Sequence, residues 1–157
     1  MGIVETDEEI SNALRVSKIL SGSFLVASFV YVGIFFFALQ QGIAPVMNDE
    51  SLIDIIMAML AAIGILCLVG GYYLPKYLIK QGKKKQVGQL DNSIRGNLLT
   101  ANIIGFAFFE SIAIFGLILG LLSARWELVL SFAGVSIIAM LLAFPTRDRW
   151  GKAMRED

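Results

Sequence analysis

Four long uncharged stretches constrain the fold of this chain more than any other feature of its sequence. Residues 19–48, 55–75 and 128–146 contain no Asp, Glu, Lys or Arg, and residues 96–124 contain one charged residue, Glu110. Each stretch approaches or exceeds the roughly 20 residues that an α-helix needs to cross the hydrocarbon core of a bilayer. The pattern therefore predicts four transmembrane helices.

The composition agrees with a membrane protein. Hydrophobic residues make up 57% of the chain and charged residues 17%, whereas soluble domains carry about 25% charged residues. Apolar runs such as residues 63–69 do not alternate with polar residues, as the strands of an outer-membrane barrel would. We expect an all-α integral membrane protein, an antiparallel bundle forming one domain over residues 1–157, with spans at about 19–40, 53–75, 98–122 and 127–145.

Several classes of function are excluded by what the chain lacks. It has no His and a single Cys, Cys67, so it cannot form a Ser-His or Cys-His dyad, an internal disulfide or a cysteine-cluster metal site. A phosphate-binding Gly-rich loop is also absent. The 13 basic and 13 acidic residues balance, which gives no net field to attract nucleic acid. We therefore expect a protein that is not an enzyme and binds no cofactor or metal.

The distribution of Lys and Arg predicts the orientation. If the N-terminus is cytoplasmic, all but one of the 13 basic residues lie on the cytoplasmic side, and Arg125 is the exception. This bias follows the positive-inside rule. It predicts that both termini are cytoplasmic, that the protein lies in an inner or plasma membrane, and that residues 80–97 form a basic cytoplasmic loop.

The sequence predicts local roles for several residues near the expected membrane surfaces. Lys83, Lys84 and Lys85 could bind anionic lipid headgroups, although such lysines can also serve only to set the topology. Trp126 and Trp150 fall at opposite membrane interfaces, where aromatic residues act as anchors. Ser51 followed by Asp54 predicts a capping box at the start of the second span.

Glu110 is the one residue that the membrane setting does not explain. It follows Asn97 by thirteen positions, which places it roughly 20 Å into the bilayer at 1.5 Å per residue. An ionised carboxylate at that depth costs about 3 kcal/mol or more, and no Lys, Arg or His lies within any span. We therefore expect a neutral acid that can bind and release a proton.

The alternative role for Glu110 is structural, as a hydrogen-bonding group between helices. Such bonds contribute about 0.6–2 kcal/mol in membranes, which barely offsets the cost of inserting an acid. Its candidate partners are polar residues of the third and fourth spans: Thr100, Asn102, Ser111, Ser131 and Ser136.

Small residues indicate where helices approach each other closely. Gly116 and Gly120 form a small-xxx-small pair about two turns beyond the acid, and Gly64 is a further candidate in the second span. We expect a four-helix bundle packed through these residues, with Glu110 near its centre.

The segment from Glu110 to Ile118 resembles the ion-binding helix of the c-type (proteolipid) subunit of rotary ATP synthases. Its order of acid, aromatic, Gly and Leu is Glu110, Phe115, Gly116 and Leu117. The resemblance extends in outline to the hairpin of residues 51–122 with its basic loop. It implies a carboxylate that alternates between protonated and ionised states in an oligomer. The chain departs from that family in having a fourth span after the acid-bearing one and no internal duplication.

These observations predict a small polytopic membrane subunit whose mid-membrane Glu110 binds a proton, as a proteolipid does. The alternative is a non-catalytic accessory or structural subunit in which Glu110 bonds neighbouring helices. In either case the expected partners are the lipid bilayer and either further copies of the chain or other membrane subunits.

Overall fold

Four long helices make up the described part of the chain. The computed structural model describes residues 7–42, 49–85 and 92–147, with side chains for residues 11–42, 49–80 and 98–147. The helices are α1 (Asp7–Gln40), α2 (Glu50–Lys85), α3 (Asn92–Ser123) and α4 (Trp126–Ala143). By length and composition, each contains a segment that can cross a membrane: Ser11–Gln40, Glu50–Lys80, Leu98–Ser123 and Trp126–Ala143. The prediction of an all-α protein with four helices long and apolar enough to span a membrane is confirmed.

The outward surfaces of the bundle are apolar, as a lipid-facing surface requires. Large side chains with more than 60% of their surface exposed include Phe29 and Phe37 on α1, Leu66 on α2 and Leu142 on α4. A soluble monomer rarely exposes such large contiguous apolar patches. The exposed side chains therefore favour burial of the bundle in lipid.

Helix α3 lies at the centre of the bundle and packs against each of the other three helices, while α1 also contacts α4. Contacts between α1 and α3 follow the same order along both helices. Leu14 packs against Leu98 near one end, and Phe35 lies beside Gly120 near the other. Thus α1 and α3 run parallel although the chain does not connect them directly.

The contact between α3 and α4 depends on two glycines. A Cβ added at Gly116 would lie 2.5 Å from the Cβ of Phe132. One added at Gly120 would collide with Val129 and lie 3.0 Å from the Phe35 ring. Real Cβ atoms do not come this close to other carbons, so the two helices can meet here only through glycine.

Gly64 has a different environment. The nearest atom to an added Cβ there is a ring carbon of Phe132 at 3.9 Å, which is an ordinary van der Waals distance. A methyl group therefore fits at Gly64, and the helices do not make a close approach at this position.

Helix α2 continues through Pro75 and packs closely on α3 around it. Proline cannot donate the backbone hydrogen bond to the carbonyl four residues earlier, which here belongs to Gly71. That carbonyl faces Gly105 of α3, where an added Cβ would lie 3.1 Å from both the Gly71 oxygen and Pro75 Cγ. Phe109 packs over Gly71, 2.6 Å from the position of an added Cβ. Glycines on both helices thus bring α3 against the interrupted turn.

The start of α2 differs from the predicted capping box. Asp49 is the N-cap: its Oδ1 accepts hydrogen bonds from the backbone N–H of Ser51 at 3.0 Å and of Leu52 at 3.4 Å. A hydrogen bond from the Ser51 hydroxyl to the same oxygen, together with these two backbone bonds, lowers the pKa of Asp49. Asp54 instead lies 3.9 Å from Arg125, which is also 3.7 Å from Glu50. The cap therefore falls before Ser51, and Asp54 is free to face the α3–α4 turn.

Two other boundaries differ from those predicted by apolar length. Most of the expected loop 80–97 is helical, since α2 extends to Lys85 and α3 begins at Asn92; long helices project beyond the apolar core. Helix α4 ends at Ala143, and Phe144 has extended backbone angles (φ −56°, ψ 134°). Because Pro145 follows, the α conformation is disfavoured at Phe144.

Candidate functional site

Glu110 lies on α3 at the edge of an open face of that helix. Among the described residues of α3, this is the only broad face that the other helices leave uncovered. Ala107 and Ile103, on the same side one turn and two turns earlier, are exposed, whereas Phe106 and Ala113 are buried. Glu110 itself is half-buried. Its carboxyl group is therefore neither sealed in the core nor fully directed at lipid.

Tyr31 of α1 contacts this carboxyl group directly. Its hydroxyl donates a hydrogen bond to Glu110 Oε1 over 2.7 Å, although the two residues are 79 positions apart in the sequence. Tyr31 is also half-buried. The parallel packing of α1 on α3 brings the phenol to the acid, so the site is formed by two helices.

The polar surroundings of Glu110 are sparse. Among the described residues, Tyr31 is the only side chain that hydrogen-bonds it, and the four apolar stretches at residues 19–48, 55–75, 96–124 and 128–146 contain no basic residue. A single neutral donor does not compensate for moving an ionised carboxylate from water into a bilayer.

The polar residues expected as partners of Glu110 bond elsewhere. The Asn102 amide donates to Ser17 Oγ of α1 at 2.5 Å, and the Ser136 hydroxyl of α4 donates to the backbone oxygen of Phe109 at 2.7 Å. Ser111 and Ser131 donate to backbone carbonyls of their own helices, and Thr100 is exposed. Asn102 thus joins α3 to α1, and Ser136 joins α4 to α3, without either side chain touching the acid.

Sequence reasoning missed Tyr31 and the polar stripe to which it belongs. Ser17, Ser21 and Ser28 are buried on α1, and Tyr31 follows them on the same side of the helix. Their spacing of four, seven and three residues has the helical period. A polar stripe at that period in an otherwise apolar span would have indicated that this face of α1 meets another helix.

The remaining predicted residues lie away from the acid. Gly116 and Gly120 are in the α3–α4 contact described above, and Gly64 is on α2. Trp126 is the first residue of α4, at an end of the bundle, and is 49% exposed. Two other predicted sites lie outside the described part of the chain. These are Trp150 and the side chains of Lys83, Lys84 and Lys85.

The chemistry available at this site is proton binding and hydrogen bonding. Within residues 7–42, 49–85 and 92–147, no group of three or more His, Cys, Asp or Glu residues is arranged to hold a metal ion. Cys67 is buried on α2 and has no disulfide partner. A carboxyl group beside a phenol can exchange a proton but offers too few ligands for a divalent cation.

Comparison with known proteins adds no assignment: no protein-family model, curated protein or solved structure matches the chain.

Proposed function

We propose that this chain is a small membrane subunit in which Glu110 binds and releases a proton within the bilayer. The observation that carries the proposal is the pairing of a half-buried intramembrane carboxyl group with one neutral donor and no cation. An acid in that setting minimises its free energy by holding a proton. The local resemblance of residues 110–118 to a proteolipid ion-binding helix supports the same role.

The position of Glu110 at the edge of an open face of α3 supports proton exchange. A carboxyl group sealed among apolar side chains would exchange slowly, whereas this one borders exposed Ala107 and half-buried Ile114. A neighbouring copy or another membrane subunit could cover or uncover this face. The proposal therefore includes assembly with further copies or with other membrane subunits.

A second function is favoured by the same hydrogen bond. In an accessory or structural subunit, the bond from Tyr31 would join α1 to α3, and the protonation state of Glu110 would not matter for activity. Interhelical bonds of this kind contribute about 0.6–2 kcal/mol. This alternative predicts that Glu110→Gln, which preserves an acceptor oxygen, leaves the protein fully functional in its complex.

Labelling with a membrane-soluble carbodiimide separates the two functions. Carbodiimides react with protonated carboxyl groups in apolar surroundings, so we expect label at Glu110 that decreases as the pH is raised. Glu110→Gln should fold normally and lose the label, and exposed Glu127 provides an internal control for a water-facing acid. Label at another acid, or at none at any pH, would contradict proton binding by Glu110.

The orientation proposed for the chain places both termini in the cytoplasm of a cell with an inner or plasma membrane. Arg125 lies at the end of the bundle where α2 begins and α4 starts, and Glu50 and Asp54 flank it at 3.7 and 3.9 Å. The one basic residue assigned to the outer side is thus partly neutralised. The orientation itself is supported by the excess of Lys and Arg on the side assigned to the cytoplasm.

A further inference from the structure

We propose that Tyr31 is a positioning residue that sets the pH at which Glu110 exchanges its proton. The inference deepens the proposed function and rests on it, because it requires Glu110 to titrate. It assigns to α1, which carries no acid in its span, a direct influence on the acid of α3.

The geometry of α1 holds the phenol in place. Ser28 and Phe35, roughly one turn before and one turn after Tyr31, are both fully buried. The Phe35 ring lies against Gly120 of α3, and Ser17 is bonded to Asn102 nearer the other end. These contacts fix both the rotation of α1 and its register on α3. The Tyr31 hydroxyl is therefore directed at Oε1 of Glu110 by the packing of both helices.

The hydrogen bond acts unequally on the two protonation states of Glu110. A phenol donates more strongly to a carboxylate than to the carbonyl oxygen of a neutral carboxylic acid. It therefore favours the ionised form, in opposition to the surrounding lipid, which favours the neutral form. Removing the donor should leave Glu110 protonated up to a higher pH.

The test is the pH dependence of carbodiimide labelling at Glu110 in full-length protein, compared with Tyr31→Phe. Charged and neutral hydrogen bonds differ enough in strength that we expect the pH of half-maximal labelling to rise by about one unit in the variant. Tyr73→Phe is the matched control, since Tyr73 is 63% exposed on α2 and lacks a hydrogen-bond partner among the described residues. It should not move the midpoint.

A second variant tests whether the effect passes through the bond. Glu110→Asp shortens the acid by one methylene group. The shorter side chain withdraws the carboxyl group from the Tyr31 hydroxyl, which lies 2.7 Å from Oε1 in the wild-type protein. Combined with Glu110→Asp, Tyr31→Phe should move the midpoint by much less than it does in the wild-type background. A shift of equal size in both backgrounds would overturn a direct effect of the hydroxyl.

The outcomes distinguish this inference from the proposed function. If wild-type Glu110 is not labelled at any pH, the proposed function fails. If Glu110 labelling titrates at the same pH with and without the Tyr31 hydroxyl, proton binding stands and the positioning role is refuted. A variant that only lowers thermal stability, with an unchanged midpoint, would assign Tyr31 a purely structural role and also refute it.

Discussion

The hydroxyl of Ser136 on α4 donates a hydrogen bond of 2.7 Å to the backbone oxygen of Phe109 on α3. Ser136 is completely buried, and Phe109 directly precedes Glu110. The fourth helix is thus joined to the third beside the acid, on the side opposite its open face. Together with Tyr31 on α1, this bond fixes the rotation of α3 at the level of Glu110.

Ser136→Ala should destabilise the protein by about 0.6 kcal/mol and by no more than about 2 kcal/mol, the range measured for interhelical hydrogen bonds in membranes. Ser131→Ala is the matched control, because Ser131 donates to the Glu127 carbonyl of its own helix and is exposed. Thermal unfolding in detergent measures both. Equal destabilisation by the two substitutions would contradict a specific role for the α3–α4 bond.

The glycine contacts predict opposite results for one chemical change at two positions. Gly116→Ala should destabilise the bundle by about 1–3 kcal/mol, because its new methyl group would overlap Phe132 of α4. Gly64→Ala should be neutral or stabilising, since the methyl group fits and alanine favours the helix. The free energy of unfolding of each variant checks this. A Gly116→Ala protein as stable as Gly64→Ala would refute the close approach of α3 and α4.

The turn between α3 and α4 contains backbone strain. Ala124 has a φ of 53°, in the left-handed region that disfavours residues with a Cβ by about 1–2 kcal/mol. Ala124→Gly should therefore raise stability by up to about 1 kcal/mol, after the entropy cost of glycine in the unfolded chain. Ala58→Gly, the same change within helix α2, should lower it by about 1 kcal/mol. Destabilisation by both would contradict the left-handed turn.

The proposed orientation predicts the labelling of introduced cysteines. In a Cys67→Ala background, a cysteine replacing Met47 should react with a membrane-impermeant maleimide added to intact cells. One replacing Gly88 should react only after the membrane is permeabilised, because the basic segment around it is expected to stay in the cytoplasm. The reverse pattern would overturn the orientation.

The sequence predicts those features that depend on composition and on residues close together in the chain. The four spans follow from long gaps between charges, and the tight connection before Trp126 follows from the few residues between the third and fourth gaps. Glu110 stands out because an acid is costly in a bilayer. None of these predictions requires knowledge of which helices touch.

The features that were missed depend on packing between distant segments. Tyr31 is one of several hydroxyl-bearing residues in the spans, and only the parallel contact of α1 with α3 selects it as the partner of Glu110. Asp54 fits a local capping pattern, but Asp49 provides the cap. Asp54 of α2 instead faces Arg125, which lies in the turn between α3 and α4. In both cases a local pattern is compatible with several partners, and tertiary structure decides between them.

Infrared difference spectroscopy of the reconstituted protein can detect an exchangeable proton on Glu110 directly. We expect a carbonyl stretching band of a protonated carboxylic acid near neutral pH, which disappears as the pH is raised and is absent from Glu110→Gln. If the wild-type protein and Glu110→Gln give the same spectra at every pH, Glu110 does not exchange a proton and the proposed function is wrong.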